Sequence, residues 1–179
     1  MGEEQYLKAL MALEQRVLPK NQIQVMHGEL LWTAGFEWHP AAAEEQFAQV
    51  ESALGKRLPP DYRTFLRWRD GAVLYKDIAS GQWGFRLFGT ADLVGMNTSW
   101  AHNLRGRWQD RLIAFGDCIG EASVFVFDPQ RPTSDGSSFA VLEGDAYEPV
   151  AAWPRVSRSF HEWIDHLVTA QGDKYWLWH

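Results

Sequence analysis

The tetrapeptide Leu58-Pro59-Pro60-Asp61 limits what this chain can fold into more than any other stretch. A helix arriving from the N-terminal side cannot pass through two prolines, because each lacks the backbone N–H that a helix needs. Pro60 can, however, occupy the first turn of a new helix. Upstream, Ala43, Phe47, Val50 and Leu54 recur at i, i+4, i+7 and i+11. At about 100° per residue they span an arc of roughly 60°, one narrow apolar stripe. Glu44, Glu45, Gln49 and Glu51 cover the other side, and the early acids suit a helix N-terminus. Gly55 offers a left-handed stop. Downstream, Asp61 puts negative charge at the second helix start, Tyr62, Phe65 and Leu66 form its buried face, and Asp70-Gly71 ends it. The spacing therefore predicts two short helices meeting at a sharp corner between Ala41 and Gly71.

The rest of the chain shows both helical and strand periods. Residues 3–18 read as an amphipathic helix with Tyr6, Leu10, Leu13 and Val17 on one side, widened by Leu7 and Leu18 and ended by Pro19. Residues 22–38 read mostly as loop, with one short strand near Gln22–Val25. From Val73 the period becomes strand-like: Val73–Tyr75, a polar turn at 77–81, then Trp83, Phe85 and Leu87 alternating with smaller or polar neighbours. Thr90–Leu93 starts a helical turn that continues irregularly over Trp100–Trp108. Leu112–Phe115 reads as a strand, and Gly116–Gly120 as the turn after it. Val124–Phe127 is β-branched or aromatic at every position, the composition of a central strand covered on both faces. Asp128-Pro129 is read as its stop, 132–137 as a surface turn, and Phe139–Leu142 as the next strand, ended by Glu143-Gly144-Asp145. Val150–Trp153 is read as a last edge strand. Ser159 and Glu162 have capping-box spacing. They open a helix whose stripe is Phe160, Trp163, Ile164, Leu167 and Val168, ended by Gly172. The tail Tyr175-Trp176-Leu177-Trp178 is too apolar to float free. Helices, then consecutive strands, then a helix predict an α+β fold. The expected form is a mostly antiparallel β-sheet with packed helices, an N-terminal helical corner and a C-terminal helix.

An acidic helix followed by LG-x-x-LPPDYR-x-FL and an Asp-Gly stop resembles the N-terminal signature of the SUKH superfamily. This is the Smi/Knr type, which includes fungal cell-wall assembly regulators and bacterial toxin-immunity proteins. The matching residues are Leu54, Gly55, Leu58, Pro59, Asp61, Tyr62, Phe65, Leu66 and Gly71. Phe88-Gly89 with Asp92-Leu93, the hairpin Ile113–Asp128 and the closing helix from Ser159-Phe160 to Ile164 are similar to later family elements. One departure is Cys118-Ile119-Gly120-Glu121, where the family favours a turn richer in glycine and aspartate. The resemblance implies one SUKH-like domain over 1–179: an N-terminal extension 1–39, the family core 40–168 and an aromatic tail 169–179. It also implies a protein that binds other proteins, and no cofactor.

Composition agrees with a protein binder and offers little chemistry. A net charge of −6 argues against a nucleic-acid ligand and suits a basic protein partner. A single cysteine, Cys118, excludes an internal disulfide and fits a reducing, cytoplasmic setting. The start lacks a signal-peptide pattern and the Ser or Thr of a myristoylation motif, and no run reaches the ~18 apolar residues of a membrane helix. Phosphate-loop and dinucleotide glycine motifs are absent. His161 and His166 flank a zincin-like stretch but are spaced five apart, not four, so they point to different sides of a helix. Cys118 has no histidine at diagnostic spacing to act as its base. Asp117, Glu121 and Asp128 gather at one hairpin, where a carboxylate pair could serve acid–base chemistry, although turn acids commonly make local bonds. Arg57, Arg63, Arg67 and Arg69 give the corner a basic side, but the acidic first helix opposes a DNA-binding reading. The expectation is a non-enzymatic domain that neutralises a toxin, often a nuclease. Its expected partner contacts are Trp83, Trp100, Trp108, Glu121 and Asp135, which all lie in or near loops. The alternatives are a regulatory scaffold of the cell-wall type, and a hydrolase using the Asp117–Asp128 region.

Overall fold

The structure, a computed structural model, describes residues 2–27, 29–104 and 106–178. Among these, eight strands form one sheet in which every neighbouring pair is antiparallel and the spatial order is the chain order. They are β1 (Gln22–His27), β2 (Leu30–Trp38), β3 (Ala72–Asp77), β4 (Phe85–Leu87), β5 (Ile113–Cys118), β6 (Ser123–Pro132), β7 (Phe139–Asp145) and β8 (Arg155–Ser157). Helices α2 (Glu44–Leu54) and α3 (Pro60–Trp68) are inserted between β2 and β3. Helix α4 (Thr90–Asn103) joins β4 to β5. Helix α1 (Gly2–Val17) precedes the sheet and packs against α5 (Phe160–Thr169), which follows it. The result is the expected α+β class, with helices against an antiparallel sheet.

The corner forms as its prolines dictate. Gly55 closes α2 in the left-handed region (φ 63°), its N–H turned to the carbonyls of Glu51 and Ser52. Pro60 opens α3 as its first residue. Phe47, Val50, Leu58, Tyr62, Phe65 and Leu66 are all buried. Ala43, expected on the stripe, is instead the exposed N-cap residue of α2, and its N–H donates to Gln46 Oε1 at 2.7 Å. The stripe therefore begins at Phe47, one turn later. Tyr62 locks the corner to the sheet. Its ring meets Phe115, Phe127 and Phe160 at centroid distances of 5.6, 5.3 and 5.0 Å, and its hydroxyl donates to the carbonyls of Phe88 and Phe115. Burial pushes the Tyr62 hydroxyl pKa well above its ordinary value.

Asp61 does more than place charge at a helix start. It is fully buried, and its carboxylate accepts from Tyr62 N at 2.8 Å and from His161 N, in the first turn of α5, at 3.1 Å. Its own N–H donates to the Ser137 carbonyl, and its carbonyl accepts from the Tyr6 hydroxyl at 2.6 Å. One motif residue thus joins α1, α3, the β6–β7 turn and α5. Asp70 has a comparable long-range role. Its carboxylate accepts both the N–H and the hydroxyl of Thr90, at 2.6 Å each, and so caps α4, whose own N-cap is Gly89.

Several segments differ from their sequence reading. Residues 22–38 form a full hairpin, β1–β2, rather than mostly loop. Its inner strand pairs with β3, with a register shift between Gly35 and Glu37. Leu18 lies beyond α1 and is exposed, so it does not widen that stripe. Trp83 precedes β4, which begins only at Phe85. Cys118 still belongs to β5, so the turn is 119–122. Asp128-Pro129 does not stop β6. The strand runs to Pro132 through a register shift that leaves its prolines off the regular ladder. Val150–Ala152 is a short 3-10 turn, and the edge strand is β8, after Pro154. The Trp153 ring packs against Gly144, turning that segment inward rather than along the edge. Helix α4 is regular to Asn103, and the reading of 100–108 as one irregular helix crosses residue 105, outside the described residues. Ser123–Asp128 is buried at every position, as the central-strand reading required.

Candidate partner-binding surface

Antiparallel order in sequence puts alternate connections at opposite ends of the sheet. The β1–β2, β3–β4 and β5–β6 turns and the β7–β8 link share one end, here the turn end. The α2–α3 corner, the β6–β7 turn and the start of α5 share the other, the corner end.

At the turn end is a cleft of about 430 Å³ lined by Leu30, Trp32, Asp77, Ala79, Trp83 and Asp173. Strand alternation brings Leu30 and Trp32 to the same side of β2. Asp77 shapes the β3–β4 turn by accepting from Ala79 N at 2.9 Å and from the Ser80 hydroxyl. These bonds, Ser80 first, hold its pKa below the usual carboxylate range. Trp83 leans edge-on against Phe85, centroids 5.8 Å apart, and its indole N–H donates to the Gly172 carbonyl at 3.3 Å. Asp173 accepts from the Trp178 indole at 3.0 Å, which keeps Trp178 beside the cleft with 60% of its surface exposed. Leu30 is 66% exposed.

The tail that supplies Asp173 is held by an ion cluster around the buried Lys174. Lys174 Nζ reaches Glu121 Oε2 at 2.5 Å and Glu143 Oε1 at 2.6 Å, and the Trp176 indole donates to Glu143 Oε2 at 2.8 Å. Burial opposes the Lys174 charge, but the Glu121 and Glu143 carboxylates outweigh it and raise the ammonium pKa. Trp176 then packs edge-on against Phe125 at 5.7 Å, so the tail folds back onto the sheet as its apolar content requires.

The chemical alternatives find no assembled site. Asp117 pairs with Arg86, while Asp128 pairs with Arg111 at 2.9 Å. Asp117 sits opposite Val124, near the turn end, whereas Asp128 is four residues further along β6. At ~3.3 Å per residue the two carboxylates are far from contact. The Cys118 thiol is buried, which pushes its pKa up to about 12 and leaves it a poor nucleophile. His161 lies against Asp61, while His166 is exposed and packs on Tyr175, so the two share no face. No group of three or more His, Cys, Asp or Glu among the described residues could hold a metal. Three of the four corner arginines are engaged: Arg63 with Glu44 and Glu51, Arg67 with Glu44, and Arg69 with Glu14.

Of the expected contact residues, Trp83 and Glu121 come to the turn end together, where Ile119 N donates to the Gly84 carbonyl at 2.8 Å. Trp100 is half-buried on α4, and Trp108 is half-buried near the Leu104 carbonyl. Asp135 is at the corner end, where it accepts from the Thr133 hydroxyl and from both the N–H and the hydroxyl of Ser137. The five do not form one surface. Leu30, Trp32 and Asp173 were missed. The available signal was the run Leu30-Leu31-Trp32, too apolar for the solvated loop assigned to it.

A second cleft, of about 410 Å³, lies at the corner end between the β6–β7 turn, β8 and the start of α5. Glu162 is one of its two acids. Its carboxylate accepts from the Arg158 side chain (2.6 Å), Arg158 N and the Ser157 hydroxyl (both 2.8 Å), and not from Ser159 N as a full capping box would have it. The Arg158 guanidinium leads the causes that lower the Glu162 pKa to about 2. A depressed carboxylate pKa contributes stability that is complete above about 4.5 and is lost as pH falls towards 2. Arg158→Ala is therefore expected to flatten the dependence of the urea midpoint on pH across that window. A slope equal to the native one would contradict the assignment.

Residues 41–166 match the SMI1 / KNR4 family (SUKH-1). No curated protein matches the sequence.

Proposed function

The chain belongs to the SMI1 / KNR4 family (SUKH-1), and from that premise we propose that it is a non-enzymatic protein-binding domain of the immunity type, which neutralises a cognate toxin in the cytoplasm. The observation that carries this reading is the aromatic cleft at the turn end. It combines half-buried tryptophans, exposed leucine and indole at the rim, and two carboxylates. That is the make-up of an interface hot spot, an apolar anchor site with a polar edge. Its lining also divides in an informative way. Asp77, Ala79 and Trp83 lie inside the family match, whereas Leu30, Trp32 and Asp173 lie outside it. A shared scaffold with added lining residues suits a domain fitted to one particular partner.

The partner in this reading is basic, such as a nuclease toxin. A net charge of −6 speeds encounter with a cationic surface, and desolvated indole contacts slow dissociation. Trp83 and Glu121 serve as contacts, while Trp100, Trp108 and Asp135 would be reached only by a partner that wraps around the domain. No helix among the described residues is long and apolar enough to cross a membrane.

The test is co-expression with toxin genes encoded beside this one, followed by titration of the purified pair. Leu30→Glu is expected to weaken the complex at least tenfold without moving the melting temperature, because Leu30 is mostly exposed. Absence of binding and protection with every neighbouring toxin would sink the immunity reading. Capture of kinases or wall-synthesis factors instead would select the regulatory branch of the family.

A further inference from the structure

We propose that the corner-end cleft binds a small ligand bearing a phosphate or diphosphate group, held by Arg131 and Arg155 beside the charge of Arg158. The cleft is independent of the aromatic one, and its volume of about 410 Å³ lies within the ordinary range for small-molecule sites. It is formed by two short segments rich in arginine and hydroxyls, Arg131–Ala140 and Arg155–Glu162. On a chain with net charge −6, three guanidiniums here face two carboxylates, and both carboxylates are already occupied. Asp135 is turned into its own loop by Thr133 and Ser137, and Glu162 is saturated by Arg158 and Ser157.

Arg131 and Arg155, by contrast, have donors to spare, whereas Arg158 commits its Nε and Nη2 to Glu162 and adds charge rather than a free fork. Arg155 is exposed and has no side-chain partner among the described residues. Arg131 makes one outer contact, 3.4 Å to Asp128, a carboxylate already held by Arg111 and by Gln130 N. The start of α5 adds no donors. Phe160 N goes to Ser138 Oγ, His161 N to Asp61 and Glu162 N to Ser159 Oγ. Recognition therefore falls to the planar forks of Arg131 and Arg155, each able to take two oxygens of a phosphate, and a diphosphate offers them more charge and more oxygens than a single carboxylate does. The confined volume and the acidic surroundings disfavour a nucleic-acid strand.

The full-length protein would be titrated with inorganic pyrophosphate at low ionic strength and followed by calorimetry. The expected result is saturable one-to-one binding that weakens with added salt and falls at least tenfold in Arg155→Gln, with an unchanged melting temperature. Arg131→Gln is a second variant should the first fold poorly. Arg57→Gln removes the same charge from an exposed site elsewhere and is expected to leave binding as it was. No saturation at millimolar pyrophosphate, or equal weakening by Arg57→Gln, would overturn the proposal. Tighter binding of a phosphoserine peptide than of pyrophosphate would overturn the small-ligand assignment.

Discussion

An Asp61→Ala protein is expected to be less stable than the native chain by about 3 kcal/mol, read from urea midpoints. The size follows from what the alanine leaves behind. Tyr62 N and His161 N would both lose their acceptor in a region without water to replace it. Two helices, α3 and α5, each present a first-turn N–H to this one carboxylate, so its removal leaves an orphan donor in both. Asp61→Asn keeps one oxygen acceptor and gives up the charge, and its expected loss is about half as large. A change below about 0.5 kcal/mol for the alanine would show that the joint between the first and last helices does not depend on Asp61.

Gly71→Ala is expected to cost about 3 to 4 kcal/mol, while Gly55→Ala costs about 1 kcal/mol, although both glycines have a left-handed backbone. Around Gly55 there is open space, so an alanine meets only the intrinsic penalty of that conformation. At Gly71 (φ 92°) a methyl group would sit 2.7 Å from Gly89 N and 2.9 Å from Leu87 O, both backbone atoms that cannot swing away. Moving them apart would also pull Thr90 from the Asp70 carboxylate and uncap α4. Equal losses for the two substitutions would refute this distinction, and thermal unfolding of the pair in parallel would measure it.

These two positions also show what a sequence can reveal. The corner, the core strand Val124–Phe127 and the helix from Phe160 were legible because the signals lie within one element: prolines, a β-branched run, an apolar stripe. The partners of Asp61 and Asp70 were not, because they lie far along the chain, at His161 and Thr90. The β1–β2 hairpin was misread because Leu30 and Leu31 are both exposed, which breaks the alternation of a half-buried strand, and because β2 owes its inner edge to β3. Pro129 and Pro132 read as strand breakers, yet a register shift between Asp128 and Pro132 accommodates them. The aromatic cleft was only half visible. Trp83 stood out as a loop tryptophan, but Leu30, Trp32 and Asp173 become its neighbours only once the hairpin and the tail have folded.

Tyr175 has one more effect, through its hydroxyl bond to the Val156 carbonyl at 3.3 Å. That bond takes up a backbone acceptor on β8, the last strand, which is only three residues long. The C-terminal aromatic thus occupies one acceptor on an edge strand of three residues, while β1 at the opposite edge is six residues long. Of the two edges, β1 is the one on which a further strand would find the longer ladder.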